Sequence, residues 1–299
     1  MRILVSMSDL DRREVMVAGA AVAAGSVMAK TPSKRLPTVY LPHGGGPCFF
    51  MPDGTMGPPG MWKPMGDYLK SIGVGLPAKP IALLVISAHW EERVPTVLSS
   101  AQPPLLYDYY GFPPETYELK WPAPGSPTLA GRVQELLKNA GIESAQETER
   151  GFDHGVFIPL KLAFPEAQLP TVQLSLRAGL DPSEHLALGR ALAPLRDEGV
   201  LIIGSGMSYH NMRGFNSTRA GEESKKFDVW MREATAADQA TRDAKLAKWA
   251  EAPAARSCHP REEHLLPLMV VAGAAGADRG HAAWNGAAMG VQVSAIHFG

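Results

Sequence analysis

Nine histidines are spread along the chain, and five of them stand where chemistry is possible. His43 and His89 each follow a run that reads as a β-strand. His154 and His210 lie in polar, glycine-flanked segments, Phe152-Asp153-His154-Gly155 and Gly206-Met207-Ser208-Tyr209-His210-Asn211. His264 closes the string His259-Pro260-Arg261-Glu262-Glu263-His264. A strand end is rigid enough to hold a ligand within the tolerance a metal requires. Imidazoles from separate strand ends, converging on one crevice, make a site for a divalent transition metal. Three consecutive glycines after His43 let backbone or ligand approach closely, and Trp90 beside His89 could wall a pocket. His185, His281 and His297 lack such neighbours and are expected to be structural or solvated. His259 precedes a proline and could simply begin a helix, with Glu262 and Glu263 in its favourable first turn.

Other side chains are candidates for contacting a substrate. The loop Tyr107-Asp108-Tyr109-Tyr110-Gly111-Phe112 is aromatic, and Tyr107, Tyr109 and Phe112 could present faces to a planar ring. A surface loop stapled by its own aromatics would read the same way. Arg177 follows a strand; its planar fork could meet a substrate carboxylate, or form a structural salt bridge. Cys48 and Cys258 are the only cysteines, too few for a disulfide scaffold, and read as reduced buried thiols.

The elements that must position these residues follow from hydrophobic pattern. Thr38–Leu41, Ile81–Ser87, Thr171–Leu176, Gly199–Gly204 and Val291–Ile296 are apolar runs of strand length. The continuous runs suit strands buried on both faces. Leu129–Ala140, His185–Asp197, Lys225–Trp249 and His264–Ala275 have helical spacing. Strands alternating with helices predict one α/β domain, residues 30–299, with a sheet covered on both faces. In such sheets ligands gather beyond the carboxyl ends of the strands, where His43, His89 and the Ser205–His210 segment fall. The Pro/Gly-rich segments 51–64 and 102–127 read as functional loops over that edge.

The whole chain narrows the function classes. Its 29 basic and 30 acidic residues balance, so no excess charge exists to grip a nucleic-acid backbone. No uninterrupted apolar stretch reaches the ~18–20 residues of a stable membrane span. Residues 1–29 differ from the rest. Arg12-Arg13 precedes a short Ala/Gly-rich apolar run, and Val27-Met28-Ala29 offers small residues at a cleavage position. This pattern predicts a twin-arginine signal peptide and a periplasmic enzyme; the alternatives are an N-terminal helix on a cytoplasmic protein, or a start at Met7. The helix over Lys225–Trp249 could bury its own face or face a partner, leaving the oligomeric state open.

In order along the chain stand His43-Gly-Gly-Gly-Pro47, Ser87-Ala-His-Trp90, Tyr107-Asp-Tyr-Tyr-Gly-Phe-Pro113, Trp121-Pro-Ala-Pro-Gly-Ser-Pro127, Gly151-Phe-Asp-His-Gly155, Gly204-Ser-Gly-Met-Ser-Tyr-His-Asn211 and His259-Pro-Arg-Glu-Glu-His-Leu-Leu-Pro-Leu268. Over residues 36–299 this series resembles the class III extradiol ring-cleavage dioxygenases, specifically the DOPA 4,5-dioxygenase type of the LigB superfamily. The resemblance implies a three-layer α/β/α sandwich around a mixed, mostly parallel sheet. It implies metal ligands at His43, His89 and His264, and histidines acting on substrate and oxygen at His154 and His210, with His210 the base. The implied partners are a small catechol and O2; the implied cofactor is Fe(II), with Zn(II) able to occupy the same site. Protocatechuate-type relatives use a glutamate as third ligand, so Glu262 or Glu263 could join the site. An export signal departs from the group's mostly intracellular pattern. Two other readings keep the same residues: a zinc hydrolase with Glu262 or Glu263 as general base, and a non-catalytic metal-binding homologue.

Overall fold

Side chains along the central strands alternate between two separate cores, and this alternation builds the layers. The structure, a computed structural model, describes residues 35–299. The expected signal peptide at 1–29 lies outside the described residues. The strands are β1 (Thr38–Pro42), β2 (Ala82–Glu92), β3 (Thr96–Leu98), β4 (Ala145–Glu147), β5 (Thr171–Arg177), β6 (Val200–Gly206), β7 (Gly280–Ala288) and β8 (Val291–Phe298). The helices are α1 (Lys63–Ser71), α2 (Pro127–Asn139), α3 (His154–Ala163), α4 (Pro182–Leu192), α5 (Thr218–Ala236), α6 (Gln239–Ala247), the single turn α7 (Ala255–Cys258) and α8 (Leu266–Ala275). One sheet runs in the order β4-β3-β5-β2-β6-β1-β8-β7. Its centre, β5-β2-β6-β1, is parallel, while β8 joins β1, and β7 joins β8, antiparallel.

Leu84 and Ile86 of β2 and Ile202 of β6 enter a core shared with α2, α4, α5, α6 and α8. Their neighbours Leu83, Val85, Leu201 and Ile203 enter the other core, closed by α1, α3 and the aromatic loop. The result is a three-layer α/β/α sandwich around a mixed sheet. Helix α8 is buried at every position, as its all-round apolar sequence requires.

Some boundaries differ from those read off the sequence. The expected helix over Lys225–Trp249 is two helices. Asp238 turns to extended backbone and its carboxylate accepts the Thr241 N–H, so capping a new helix replaces continuing the old one. The helix begun at His185 ends at Leu192 and gives way to a tight turn through Pro194, which has no N–H to donate. Strand β2 runs past Ser87 to Glu92. Its register against β5 shifts between Ile86 and Glu91, so His89 sits on an irregular stretch within the strand rather than after it.

Candidate active site

The carboxyl edge of β1, β6 and β2 carries the site. His43 is the first residue beyond β1, and its N–H donates to the Gly206 carbonyl at 3.1 Å. The Ser205 hydroxyl donates to the Gly155 carbonyl, so its oxygen is left to accept from His43 Nδ1 at 3.1 Å. That chain puts the ring proton of His43 on Nδ1 and leaves the Nε2 lone pair facing the cavity. His89 Nε2 lies 3.2 Å from His43 Nε2. The backbone N–H of His89 donates to Ser87 Oγ at 3.2 Å, and Ser87 in turn donates to the buried Asp153 at 2.7 Å. Gln173 and Arg150 hold the other oxygen of Asp153.

His264 arrives from the opposite layer, just before α8. Its carbonyl accepts the Tyr40 hydroxyl at 2.8 Å and the Met207 N–H at 3.1 Å. Residue 206 must be glycine for this approach, because a Cβ there would stand 2.2 Å from the His264 carbonyl oxygen. The His264 Nδ1–H donates to Glu263 Oε1 at 3.0 Å, again leaving Nε2 for the cavity. Ligand atoms of His43, His89 and His264 all lie within 4.8 Å of one another.

Burial and mutual repulsion hold these three imidazoles neutral. The pKa values of His43 and His264 are pushed well below the ordinary range, and that of His89 down to about 3; desolvation is the main cause in each, with the neighbouring histidines adding to it. Neutral imidazoles are the protonation state a metal ligates. Two nitrogens 3.2 Å apart with at least one lone pair between them suit a shared cation bound at roughly 2.0–2.1 Å from each. A carboxylate behind His264, at Glu263, completes the carboxylate–histidine arrangement common behind metal ligands. The donor set therefore fits a divalent transition metal.

Two more histidines flank the cluster. His154 opens α3, its ring centre 3.9 Å from that of His89, and its Nδ1 donates to Asp108 Oδ1 at 2.8 Å. His210 stacks on His264 with ring centres 3.3 Å apart and planes 15° apart, and its Nδ1 donates to Glu263 Oε1 at 3.1 Å. Burial pushes both carboxyls up. The hydrogen bonds and charge of His154 outweigh it at Asp108, as do those of His210 with the charge of Arg261 at Glu263, and both end below the ordinary range. Segments 207–211 and 257–264 are sewn together. His210 N–H donates to the Cys258 carbonyl, the His259 ring to the Ser208 carbonyl, and the Asn211 amide to the Ser257 carbonyl.

A cavity of about 400 Å³ opens over the cluster. Tyr109 and Phe112 line it, as do Met56 and Trp62 from the first proline-rich segment. Gly46, with φ +52, carries the Phe112 ring 3.0 Å from where its Cβ would be. Two of the sequence candidates are elsewhere. Tyr107 is not on the cavity wall; it packs behind Tyr109 against Phe157, and its hydroxyl donates to the Leu119 carbonyl at 2.5 Å. Arg177 points away from the site to Glu184 at 2.7 Å, because the side chain at that strand end faces α4. Glu262 is turned outward to Arg256 at 2.8 Å, while Glu263 is spent on two histidine rings. Glu262 is thus turned away from the cluster, while Glu263 lies close enough to His210 and His264 for the three to share a metal ion. Both cysteines are buried and unbridged, with burial pushing the Cys258 thiol up to about 12. His259 and His185 are structural. The first donates to Ser208; the second joins the Asp181 carbonyl to the Arg177 N–H. Sequence reasoning missed Asp108 and Ser205. Asp108 was the one carboxylate in an otherwise aromatic loop, which was its only signal.

A neutral three-histidine cluster at the carboxyl edge of an α/β sheet, beside two carboxylate-held histidines and under an aromatic-walled cavity, has the make-up of a metal-dependent active site. Comparison with known proteins makes the class specific. The family described as the catalytic LigB subunit of aromatic ring-opening dioxygenase matches residues 37–294, and the chain belongs to it. A relative from Beta vulgaris named 4,5-DOPA dioxygenase extradiol is 43% identical over 71% of this chain and 81% of its own length. Dioxygenase tasH of Hapsidospora irregularis is 36% identical over 91% of this chain and 88% of its own. The crystal structure of uncharacterized protein JW3007 from Escherichia coli K12 superposes with a TM-score of 0.72 at 29% identity, covering 89% of this chain and all of that one. The protein is thus a non-haem extradiol ring-cleaving dioxygenase, and the hydrolase reading is not favoured.

Proposed function

We propose that the enzyme opens the ring of a catechol with O2, using Fe(II) held by His43, His89 and His264. The observation that carries this reading is the convergence of three neutral imidazoles, two buried and one half-buried, on one point, each fixed by its own strand or loop. Bound there, Fe(II) supplies redox chemistry, open coordination positions and a lowered pKa for the diol hydroxyls.

The chain's own residues do the rest. His210 in its neutral form keeps its Nδ1–H on Glu263, so Nε2 is the atom that takes a proton from the diol. His154, with Nδ1–H on Asp108, turns Nε2 toward the cavity to act on oxygen and return a proton as the ring opens. Tyr109 and Phe112 are proposed as the wall against the ring, and the apolar lining keeps bulk water from the reacting atoms. Zn(II) is the metal expected in protein purified without precaution, because it binds such sites more tightly than Fe(II).

Anaerobic loading of residues 30–299 with Fe(II), followed by catechols and air, tests the reading. O2 uptake with a yellow ring-opened product, absent from the zinc-loaded protein, is the expected result. Iron-loaded protein that consumes no O2 with any catechol overturns it. We propose further that residues 1–29 direct twin-arginine export to the periplasm. Replacing Arg12 and Arg13 by lysine should leave the protein in the cytoplasm; unchanged fractionation overturns that part. Among the described residues no helix is long and apolar enough to cross a membrane.

A further inference from the structure

Away from the histidines and Asp108, the walls of the cavity that faces the cluster are apolar or aromatic. Met56, Trp62, Phe112, Met207, Phe215 and Met289 form them, and among the described residues no lysine or arginine lines it. Three arginines close in sequence to site residues are engaged elsewhere, and the exposed Arg213, beside Met212, is not among the lining residues. Arg150 donates to the His89 carbonyl and to Asp153, Arg261 pairs with Glu91 at 2.5 Å, and Arg177 pairs with Glu184 outside the cavity. The one carboxylate on the wall, Asp108, accepts both the ring and backbone N–H of His154, and its charge repels an anion.

The rim adds a second, independent observation. Of the large apolar side chains left exposed, Tyr110 at 91% and Met212 at 71% both stand at this cavity. Isolated exposed apolar residues are ordinary, but two that continue an apolar wall out to solvent extend the surface a substituent would touch.

Resting on the ring-cleavage reading, we propose that the enzyme selects catechols bearing an uncharged apolar substituent, which lies along the methionine wall toward Met212 and Tyr110, and discriminates against a carboxylate at that position. A carboxylate there would give up part of its water against apolar side chains, meet no lysine or arginine, and face the charge of Asp108. The preferred substrate thus differs from an amino-acid diol of the kind named for the Beta vulgaris relative.

Two near-isosteric probes decide the matter: isopentylcatechol, and dihydrocaffeate, in which a carboxylate replaces the branched end. Binding is read by calorimetry on the zinc-loaded full chain, and turnover separately by O2 uptake of the iron-loaded chain. The neutral probe should bind about tenfold more tightly, because its branched end covers apolar side chains that a carboxylate leaves uncovered. Met212→Arg, at an exposed position where folding is not at stake, should recover about tenfold for dihydrocaffeate by supplying the missing cation. Arg213→Ala, beside it but off the cavity wall, should leave the preference unchanged. Equal binding of the two probes, or binding of neither, overturns the inference, as does a carboxylate affinity that collapses in Arg213→Ala. Clear preference in binding with no O2 uptake from either probe would instead overturn the ring-cleavage reading and leave the selectivity standing.

Discussion

Two histidines flank the three-histidine cluster, and each gives its Nδ1–H to a carboxylate, yet the two flanks are built differently. On one side Asp108 Oδ1 accepts the backbone and ring N–H of a single residue, His154, at 2.8 Å each. On the other side Glu263 Oε1 accepts from two rings, His210 at 3.1 Å and His264 at 3.0 Å, and those rings lie stacked at 3.3 Å. The Asp108 flank fixes one imidazole against a helix start. The Glu263 flank couples a proposed base to a proposed metal ligand through one oxygen. The second oxygen of Glu263 is buried with no hydrogen bond, 3.5 Å from Arg261, so the whole geometry hangs on the shared contact. A site whose two flanks differ this way should fail differently when each is cut.

Glu263→Ala breaks the comparison most sharply. Loss of an outer carboxylate costs metal affinity or activity about 10–100-fold, and here two rings are released together. The expected outcome is a drop near the upper end in both metal affinity, by chelator competition, and kcat/KM. Glu263→Gln keeps the accepting oxygen and should recover part of both. Asp108→Ala releases one ring that is not a proposed ligand. It should lower kcat about tenfold while costing less metal affinity than Glu263→Ala does, because the ring it frees packs against His89 without being a proposed ligand. Equal loss of metal in both variants would erase the distinction between the flanks.

Acid sharpens the same contrast. The Glu263 flank rests on His259, fully buried, whose donation to the Ser208 carbonyl ties the two histidine-bearing segments together. Burial pushes the His259 pKa down to about 3, against an unfolded value near 6.5. The unfolded chain therefore takes up a proton that the folded chain refuses. Stability present above pH ~6.5 is lost as pH falls toward 3, by about 2 kcal/mol at pH ~5. In metal-free protein, His259→Gln retains a donor near the Nε2 position and cannot titrate. Its urea midpoint should fall less between pH ~7 and ~5 than that of the parent; parallel slopes would show that His259 does not carry the effect.

The same two flanks show what sequence makes legible. The runs Gly199–Gly204 and Ile81–Ser87 announced central strands because β-branched and leucine residues buried on both faces leave a continuous apolar signature. With the strands came the edge where His43 and His89 meet. Glu263 stood in a quoted motif, but its partners could be known only from the contact between segments 207–211 and 257–264. Asp108 and Ser205 likewise act through contacts 46 and 162 residues distant, which no local pattern records. Strand β7 was missed because its exposed, alanine- and glycine-rich sequence has little strand propensity, and only its ladder with β8 makes it one. The helix break at Asp238 was written in the sequence, but apolar periodicity spoke louder than a capping residue.

The smallest expected effects lie outside both flanks, where sequence placed substrate contacts that the structure puts elsewhere. Arg177 and Glu184 are both nearly half exposed, so their pair is worth at most about 1 kcal/mol. Arg177→Ala should therefore change kcat/KM less than about twofold, the noise level for a distant substitution, with dihydrocaffeate and isopentylcatechol alike. Tyr107→Phe removes a donor from the Leu119 carbonyl, behind the wall that Tyr109 forms, and should cost about 1 kcal/mol of stability with KM unchanged. A selective loss with the carboxylate probe in Arg177→Ala would mean that the substrate reaches out of the cavity to the end of β5 beside α4. No path for that exists among the residues lining the cavity. Equal, small changes with both probes would confine recognition to the space between Asp108 and Glu263, and leave the difference between those two carboxylates as the feature that decides the chemistry.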